Sequence, residues 1–145
     1  FARAAGLAID VRNETEDLLP WKEVGFEIVT ETAGDVHARN IVRLKELYVS
    51  MQIIKNIIDG LPASDLITDT KAFPDGEAVV RLEAPRGELF YYAKGNKTQI
   101  LERLKIKAPT FSNVSAMVEA FKGNEYGSAP AIIASYDPCL SCTAR

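Results

Sequence analysis

The chain has 145 residues, 47% of them hydrophobic and 26% charged, with a formal net charge of −3. That is one domain's worth of chain with enough apolar content to pack a core, which excludes an intrinsically disordered polypeptide. The mildly acidic balance without a dense Lys/Arg cluster argues against a nucleic-acid surface, the short apolar runs against a membrane span, and two cysteines against a disulfide-rich scaffold.

Residues 1–34 carry little periodicity and read as a linker or loop region, punctuated by Pro20, Gly25 and Gly34, with the acidic stretch Glu14–Asp17 as a solvated loop. Phe1 stands where a start methionine would be, and no signal-peptide pattern follows, so the chain reads as a processed or partial polypeptide. A long helix is predicted over 35–60. Asp35 is its N-cap, Ile41, Leu44, Tyr48, Met51, Ile54 and Ile58 recur at spacings of three and four, and Gly60-Leu61-Pro62 ends it. At 1.5 Å per residue it spans roughly 36 Å, a length that suits one member of a bundle. Its Tyr48, Met51 and Ile54 stripe is expected to be core.

Beyond a polar connection with Pro74-Asp75-Gly76 as a turn, two runs rich in Val, Leu, Phe and Tyr flank Ala84-Pro85-Arg86-Gly87, and an alternating run covers Arg103–Lys107. Together they predict an antiparallel β-meander within 77–107. In 108–145 a short helix is expected over Ser112–Lys122 with Gly123 as its stop, followed by an apolar run and a cysteine-bearing C-terminal segment. There is no internal repeat. The fold class is helix-rich α+β.

Cys139 and Cys142 are spaced so that two thiolates can meet one metal or redox centre. A thioredoxin-type motif needs a long helix after the cysteines, and only three residues follow Cys142. A structural zinc site needs four ligands, and the single His is His37, far away in the helix. On spacing alone, two inert cysteines remain an alternative, and any metal site must borrow ligands from elsewhere.

The nonapeptide Asp137-Pro138-Cys139-Leu140-Ser141-Cys142-Thr143-Ala144-Arg145 resembles the D-P-C-x-x-C-x-x-[HR] signature of the large, catalytic subunit of [NiFe] hydrogenases. Its ending in Arg is similar to the energy-converting, membrane-bound Ech-type group, relatives of the large quinone-site subunit of respiratory complex I. Glu83-Ala84-Pro85-Arg86-Gly87-Glu88 resembles the family's E-A-P-R-G-E motif, and Ala108-Pro109-Thr110 the segment that approaches the iron's diatomic ligands. Ala2–Gly6, Asp10-Val11-Arg12 and Gly34-Asp35-Val36 are similar to the linker and long-helix start shared with complex I. The resemblance runs through the whole chain and implies the long-helix bundle of the large-subunit fold with a small β-meander.

What it implies about chemistry is specific. Cys139 would be a terminal thiolate on nickel and Cys142 a bridge between nickel and iron, in a Ni–Fe centre carrying CO and CN ligands. Arg86 would sit over the open face of the metals and take part in catalysis with Cys139. Thr110, Pro109 and Pro85 would meet the iron's ligands, and Asp137 would hold the cysteine turn. Arg145 replaces the His that many relatives use for a separate metal. Glu83 and Glu88 are candidate proton carriers, and His37 reads as an ordinary helix-end residue. The family's second C-x-x-C does not occur in this chain, so the resemblance implies a C-terminal portion of the subunit, ending where the mature form ends, partnered by an N-terminal portion with the other cysteines. Further implied partners are a small [4Fe-4S] subunit, membrane subunits and ferredoxin, with H2 and protons as substrates and a peripheral place on the cytoplasmic side of the membrane. Two other readings stay open: a non-catalytic complex I-like structural subunit, and a small C-x-x-C metal or redox module.

Overall fold

The computed structural model describes residues 1–14, 21–67 and 72–144. A 3-10 turn at Ala2–Ala5 leads to two one-turn helices, α1 (Val11–Glu14) and α2 (Trp21–Val24), and then to the long α3 (Val36–Gly60). Three strands follow, β1 (Asp75–Ala84), β2 (Gly87–Asn96) and β3 (Arg103–Lys107). The chain closes with α4 (Pro109–Glu119), a second 3-10 turn at Tyr126–Ser128, α5 (Ala129–Tyr136) and α6 (Leu140–Thr143).

Helix α3 begins where the sequence predicts. The Asp35 carboxylate accepts the Ala38 N–H at 2.7 Å, satisfying one of the free donors of the first turn. Its ending also agrees, with Leu61 as C-cap. Ala4, Ala38 and Val42 form a small core, with Val29 packed against it, and this fastens the 3-10 turn to the start of α3. Farther along, the Asn56 amide donates to the Val24 carbonyl at 2.9 Å and ties α2 to the helix's second half.

The expected core stripe is corrected by the structure. Tyr48, Met51 and Ile54 are 68%, 58% and 57% exposed, because among the described residues the packing covers the face that carries Ala38, Val42 and Ile53. Leu44, Leu47 and Ile58 lie open as well, so α3 is apolar on two faces. Such a helix has the pattern of an interior bundle member rather than of a surface one.

The three strands form an antiparallel sheet in the order β1-β2-β3. The β1–β2 ladder runs from Asp75 opposite Asn96 to Ala84 opposite Gly87, closing on a two-residue turn made by Pro85 and Arg86. Asp75 and Gly76, expected as a turn, belong to β1, because the ladder extends two residues past the predicted start. Gly87 takes φ +123°, a conformation that side chains rarely adopt, so glycine closes the hairpin there without strain. Helix α4 starts three residues earlier than the periodicity suggests, since Pro109 occupies its first turn, where a missing N–H costs nothing. The apolar run from Ala129 is helical. Part of the acidic stretch, Thr15–Asp17, lies outside the described residues, as does Pro20, whereas Glu14 ends α1 and pairs with Arg81 at 3.1 Å. Among the described residues no helix is long and apolar enough to cross a membrane.

Candidate metal and proton-handling site

The cysteine turn is built by a sharp reversal at the end of α5. Asp137 adopts the left-handed conformation, φ 50° and ψ 56°, and its N–H bonds back to the Ala134 carbonyl at 3.1 Å. Pro138 cannot continue a helix, and Cys139 then caps α6, accepting the N–H groups of Cys142 and Thr143 on its carbonyl at 3.1 Å each. This single turn sets both cysteines, half-buried, beside one another.

Arg86 reaches this turn from the β1–β2 hairpin. Its Nε donates to the Asp137 carbonyl at 2.6 Å, and its Nη2 lies 2.9 Å from the Asp137 carboxylate. Asn113 of α4 secures the hairpin by donating to the Arg86 carbonyl at 3.0 Å. Arg86 is therefore tied into the cysteine turn. Two donors of one planar group are fixed on two acceptors of one residue, a fit that guanidinium provides and an ammonium does not.

Thr110 is buried in the first turn of α4, and its Oγ1 accepts the Cys139 N–H at 3.3 Å. Threonine is a common helix cap, but α4 is capped at Ala108 without any side-chain bond. The threonine hydroxyl faces the cysteine turn instead. Pro109 is buried beside it, and Pro85 and Arg86 line a cavity of about 640 Å³ that extends past Arg43, Glu46 and Glu83 toward Arg3. Arg145 lies outside the described residues. His37 is exposed in the first turn of α3, as expected of a helix-end residue.

The Cys139 thiol is acidic. A contact with the Ser141 hydroxyl at 3.0 Å, then the Cys142 thiol and N–H, and finally the nearby Arg86 charge pull it down to about 7, against a smaller opposing effect of desolvation. Thiolate, not thiol, is the nucleophile and the metal ligand. Alkylation of the metal-free chain by iodoacetamide is accordingly expected to reach half its limiting rate at Cys139 near pH 7. In Ser141→Ala the inflection should move up by roughly one pH unit. A Cys139 rate still climbing steeply at pH 9 in the unsubstituted chain would contradict the acidic thiol.

A second cluster holds the floor of the cavity. Asp10, 1% exposed, accepts from Arg3 Nη1 at 2.7 Å and from Arg12 Nη2 at 2.6 Å and Nε at 2.9 Å. Arg3 also lies 3.1 Å from Glu46 and 3.3 Å from Glu83, whose other oxygen accepts the Val11 N–H at 3.1 Å. Burial pushes the Asp10 carboxyl up, but the Arg12 hydrogen bonds and the Arg12 and Arg3 charges outweigh it and hold it below its ordinary value. For Glu83 burial wins, and its pKa is raised despite the Val11 bond and the arginines. Sequence reasoning places Ala2–Gly6 and Asp10–Arg12 in a linker. The available signal is two arginines flanking one aspartate, which has no meaning until folding brings Glu46 to both arginines and Glu83 to Arg3.

The arrangement defines a class: an α+β chain whose β-hairpin arginine and cysteine turn meet in one site beside a long, two-faced helix. The chain belongs to the family described as the 49 kDa subunit of respiratory-chain NADH dehydrogenase, which it matches over residues 1–73 and 65–145. It is 39% identical, over 99% of its length, to the carbon monoxide-induced hydrogenase of Rhodospirillum rubrum. It is 36% identical to the membrane-bound hydrogenase subunit alpha of Pyrococcus furiosus, again over 99% of its length, and 33% identical over 95% to an NADH-quinone oxidoreductase subunit of Solibacter usitatus. The matched regions cover 40%, 38% and 38% of those relatives, so the chain spans about two fifths of their length. Among solved structures it resembles a chain of the membrane-bound sulfane sulfur reductase, an archaeal respiratory membrane complex, with a TM-score of 0.83 and 31% identity over 99% of this chain and 41% of that one. The family and the fold class implied by the sequence resemblance are thus borne out.

Proposed function

We propose that this chain is part of the large subunit of an energy-converting [NiFe] hydrogenase, contributing Cys139, Cys142 and Arg86 to reversible H2 oxidation and proton reduction. The observation that carries the reading is the meeting of two adjacent cysteines, one of them acidic, with a fixed guanidinium and a buried threonine hydroxyl. Soft thiolates suit nickel and low-spin iron, so the donor set fits such a centre. It fits only half of it, since no group of three or more His, Cys, Asp or Glu able to hold a metal occurs among the described residues. The other thiolates are assigned to the remainder of the large subunit. That segment would also cover the open face of α3.

When bound, a Ni–Fe centre with CO and CN ligands supplies redox-active metals at which H2 is split. The chain's own residues do the rest. Cys139 Sγ, in contact with the Ser141 hydroxyl at 3.0 Å, is the group on this chain assigned to hold a proton beside the metals. Arg86, fixed by Asp137, presents a permanent positive charge where negative charge develops. Thr110 accepts from Cys139 N–H and keeps its own hydroxyl proton to donate toward a diatomic ligand, with Pro109 and Ala108 as apolar wall. Electrons would pass to a small [4Fe-4S] subunit and onward to ferredoxin, and membrane subunits would hold the assembly at the cytoplasmic face.

A second reading, a complex I-like subunit without metal, is favoured by the family description and by the quinone-oxidoreductase relatives. Elemental analysis separates the two. The chain joined to its cysteine-bearing counterpart is expected to hold nickel and iron one to one, and the chain alone to hold neither stably. An assembled complex without nickel would establish the metal-free reading. Stoichiometric metal in the chain alone would sink the divided ligand set.

A further inference from the structure

Immediately before the cysteine turn, two arginines of α3 take over the C-terminal end of α5. Arg43 donates through Nη1 to the Ala134 carbonyl at 3.3 Å and through Nη2 to the Ser135 carbonyl at 2.8 Å. Arg39, one helical turn earlier, donates through Nε to Ser135 Oγ at 2.8 Å and through Nη1 to the Gly34 carbonyl at 2.8 Å. Ser135 Oγ in turn donates a hydrogen bond to the Ile132 carbonyl at 2.7 Å. The Arg39 guanidinium lies 4.7 Å from the centre of the Tyr136 ring and 5.6 Å from that of Phe1, and these two rings stack on one another.

Arg39 is 8% exposed, and no carboxylate among the described residues pairs with it. A buried cation without an acid is costly unless other groups replace its water. Here the replacements are a serine hydroxyl at the negative end of α5, a loop carbonyl and two aromatic faces. At eight residues α5 is too short to hold its own end in place. The residue that follows is Asp137, which binds Arg86 and leads into Cys139.

We propose that Arg39 and Arg43 are positioning residues, a clamp that fixes the start of the cysteine turn against α3 and so sets where Cys139, Cys142 and the Asp137–Arg86 pair stand. The inference rests on the proposed function only in treating the cysteines as ligands, and its test reads the turn itself without any metal.

Hydrogen exchange on the full chain, in the assembly in which it is purified, compares the amides of Asp137, Cys142 and Thr143 with those of the β1–β2 ladder. In Arg43→Gln the turn amides are expected to exchange at least about tenfold faster, the order that follows from losing charged hydrogen bonds to carbonyls, while the ladder stays within about twofold. Arg43→Lys retains one of the two carbonyl contacts and should recover part of the protection. If the arginine variants do not fold, Ser135→Ala decides, because it removes only the Oγ that Arg39 uses. The same three amides should then loosen by roughly threefold. Equal acceleration of turn and ladder would make the arginines general stabilisers, and an unchanged turn in Ser135→Ala and Arg43→Gln would remove the clamp. A complex found to lack nickel would refute the hydrogenase reading and leave the exchange comparison standing.

Discussion

Asp10→Asn is expected to lower the stability of the chain by about 3–5 kcal/mol, the cost of breaking a buried ion pair by removing one member. The Asp10 side chain has no solvent exposure and neutralises two guanidinium groups at once, Arg3 and Arg12, both themselves largely buried. Asn keeps the shape but loses the charge, and its NH2 would face a donor where the second carboxylate oxygen now accepts. Against a typical total of about 5–15 kcal/mol, that is a large fraction. Urea unfolding should show the midpoint falling with the slope unchanged. The pH dependence carries a sign. Because the folded Asp10 pKa is lowered, its contribution is complete above the ordinary carboxylate range and is lost as pH falls through the folded value. Glu83 acts oppositely. Its raised pKa gives stability below its ordinary value that is lost as pH rises through the folded one. Glu83→Gln should therefore cost clearly less than Asp10→Asn near neutral pH. Equal losses in the two variants would mean that the cluster does not centre on Asp10.

The elements best read from sequence are those with local causes. Helix α3 has a capping aspartate, a helical period and a Gly-Leu-Pro stop, so both its ends are legible. The hairpin has alternating β-formers around Pro85-Arg86 and follows the same logic. What the sequence misplaces depends on distant chain. Tyr48, Met51 and Ile54 have the spacing of a core stripe, and periodicity states that a face is apolar without stating what covers it. Helix α4 begins at Pro109, earlier than the expected Ser112, because proline is favoured in a first turn.

The site divides in the same way. The cysteine spacing is local, and it marks Cys139 and Cys142 at sight. The motif resemblance implies Arg86 near the metals and Asp137 in the cysteine turn, but the bond between them, across 51 residues, has no signal in the sequence. The Arg39 and Arg43 contacts to α5 span more than 90 residues and carry no sequence signal beyond two arginines four apart on a helix. Long-range polar contacts of this kind follow from the fold, so reasoning that starts from periodicity meets them last.

On the proposed function, Arg86→Lys is expected to leave metal content nearly intact while reducing hydrogen turnover by roughly 10²–10³-fold, the range for loss of one preorganised electrostatic group. Metal retention follows from the contacts. Besides the Arg86 bonds to Asp137, the cysteine turn is held by its own backbone bonds, by Thr110 and by the end of α5, and these remain in the variant. Turnover differs because the position of the charge depends on two simultaneous contacts, to the Asp137 carbonyl and to its carboxylate. A lysine ammonium on a flexible stem can keep one of them but not the orientation that both impose. The Cys139 thiol should stay close to its present acidity, since Arg86 is the last of the influences that lower it and Lys preserves the charge. The measurements are nickel and iron content, H2-dependent dye reduction, and the pH profile of Cys139 alkylation in the metal-free variant. Full metal loading with undiminished H2 uptake would take the guanidinium out of the reaction. Loss of nickel together with activity would instead assign Arg86 to holding the turn, a role its contacts with Asp137 would then have to perform through the cysteines.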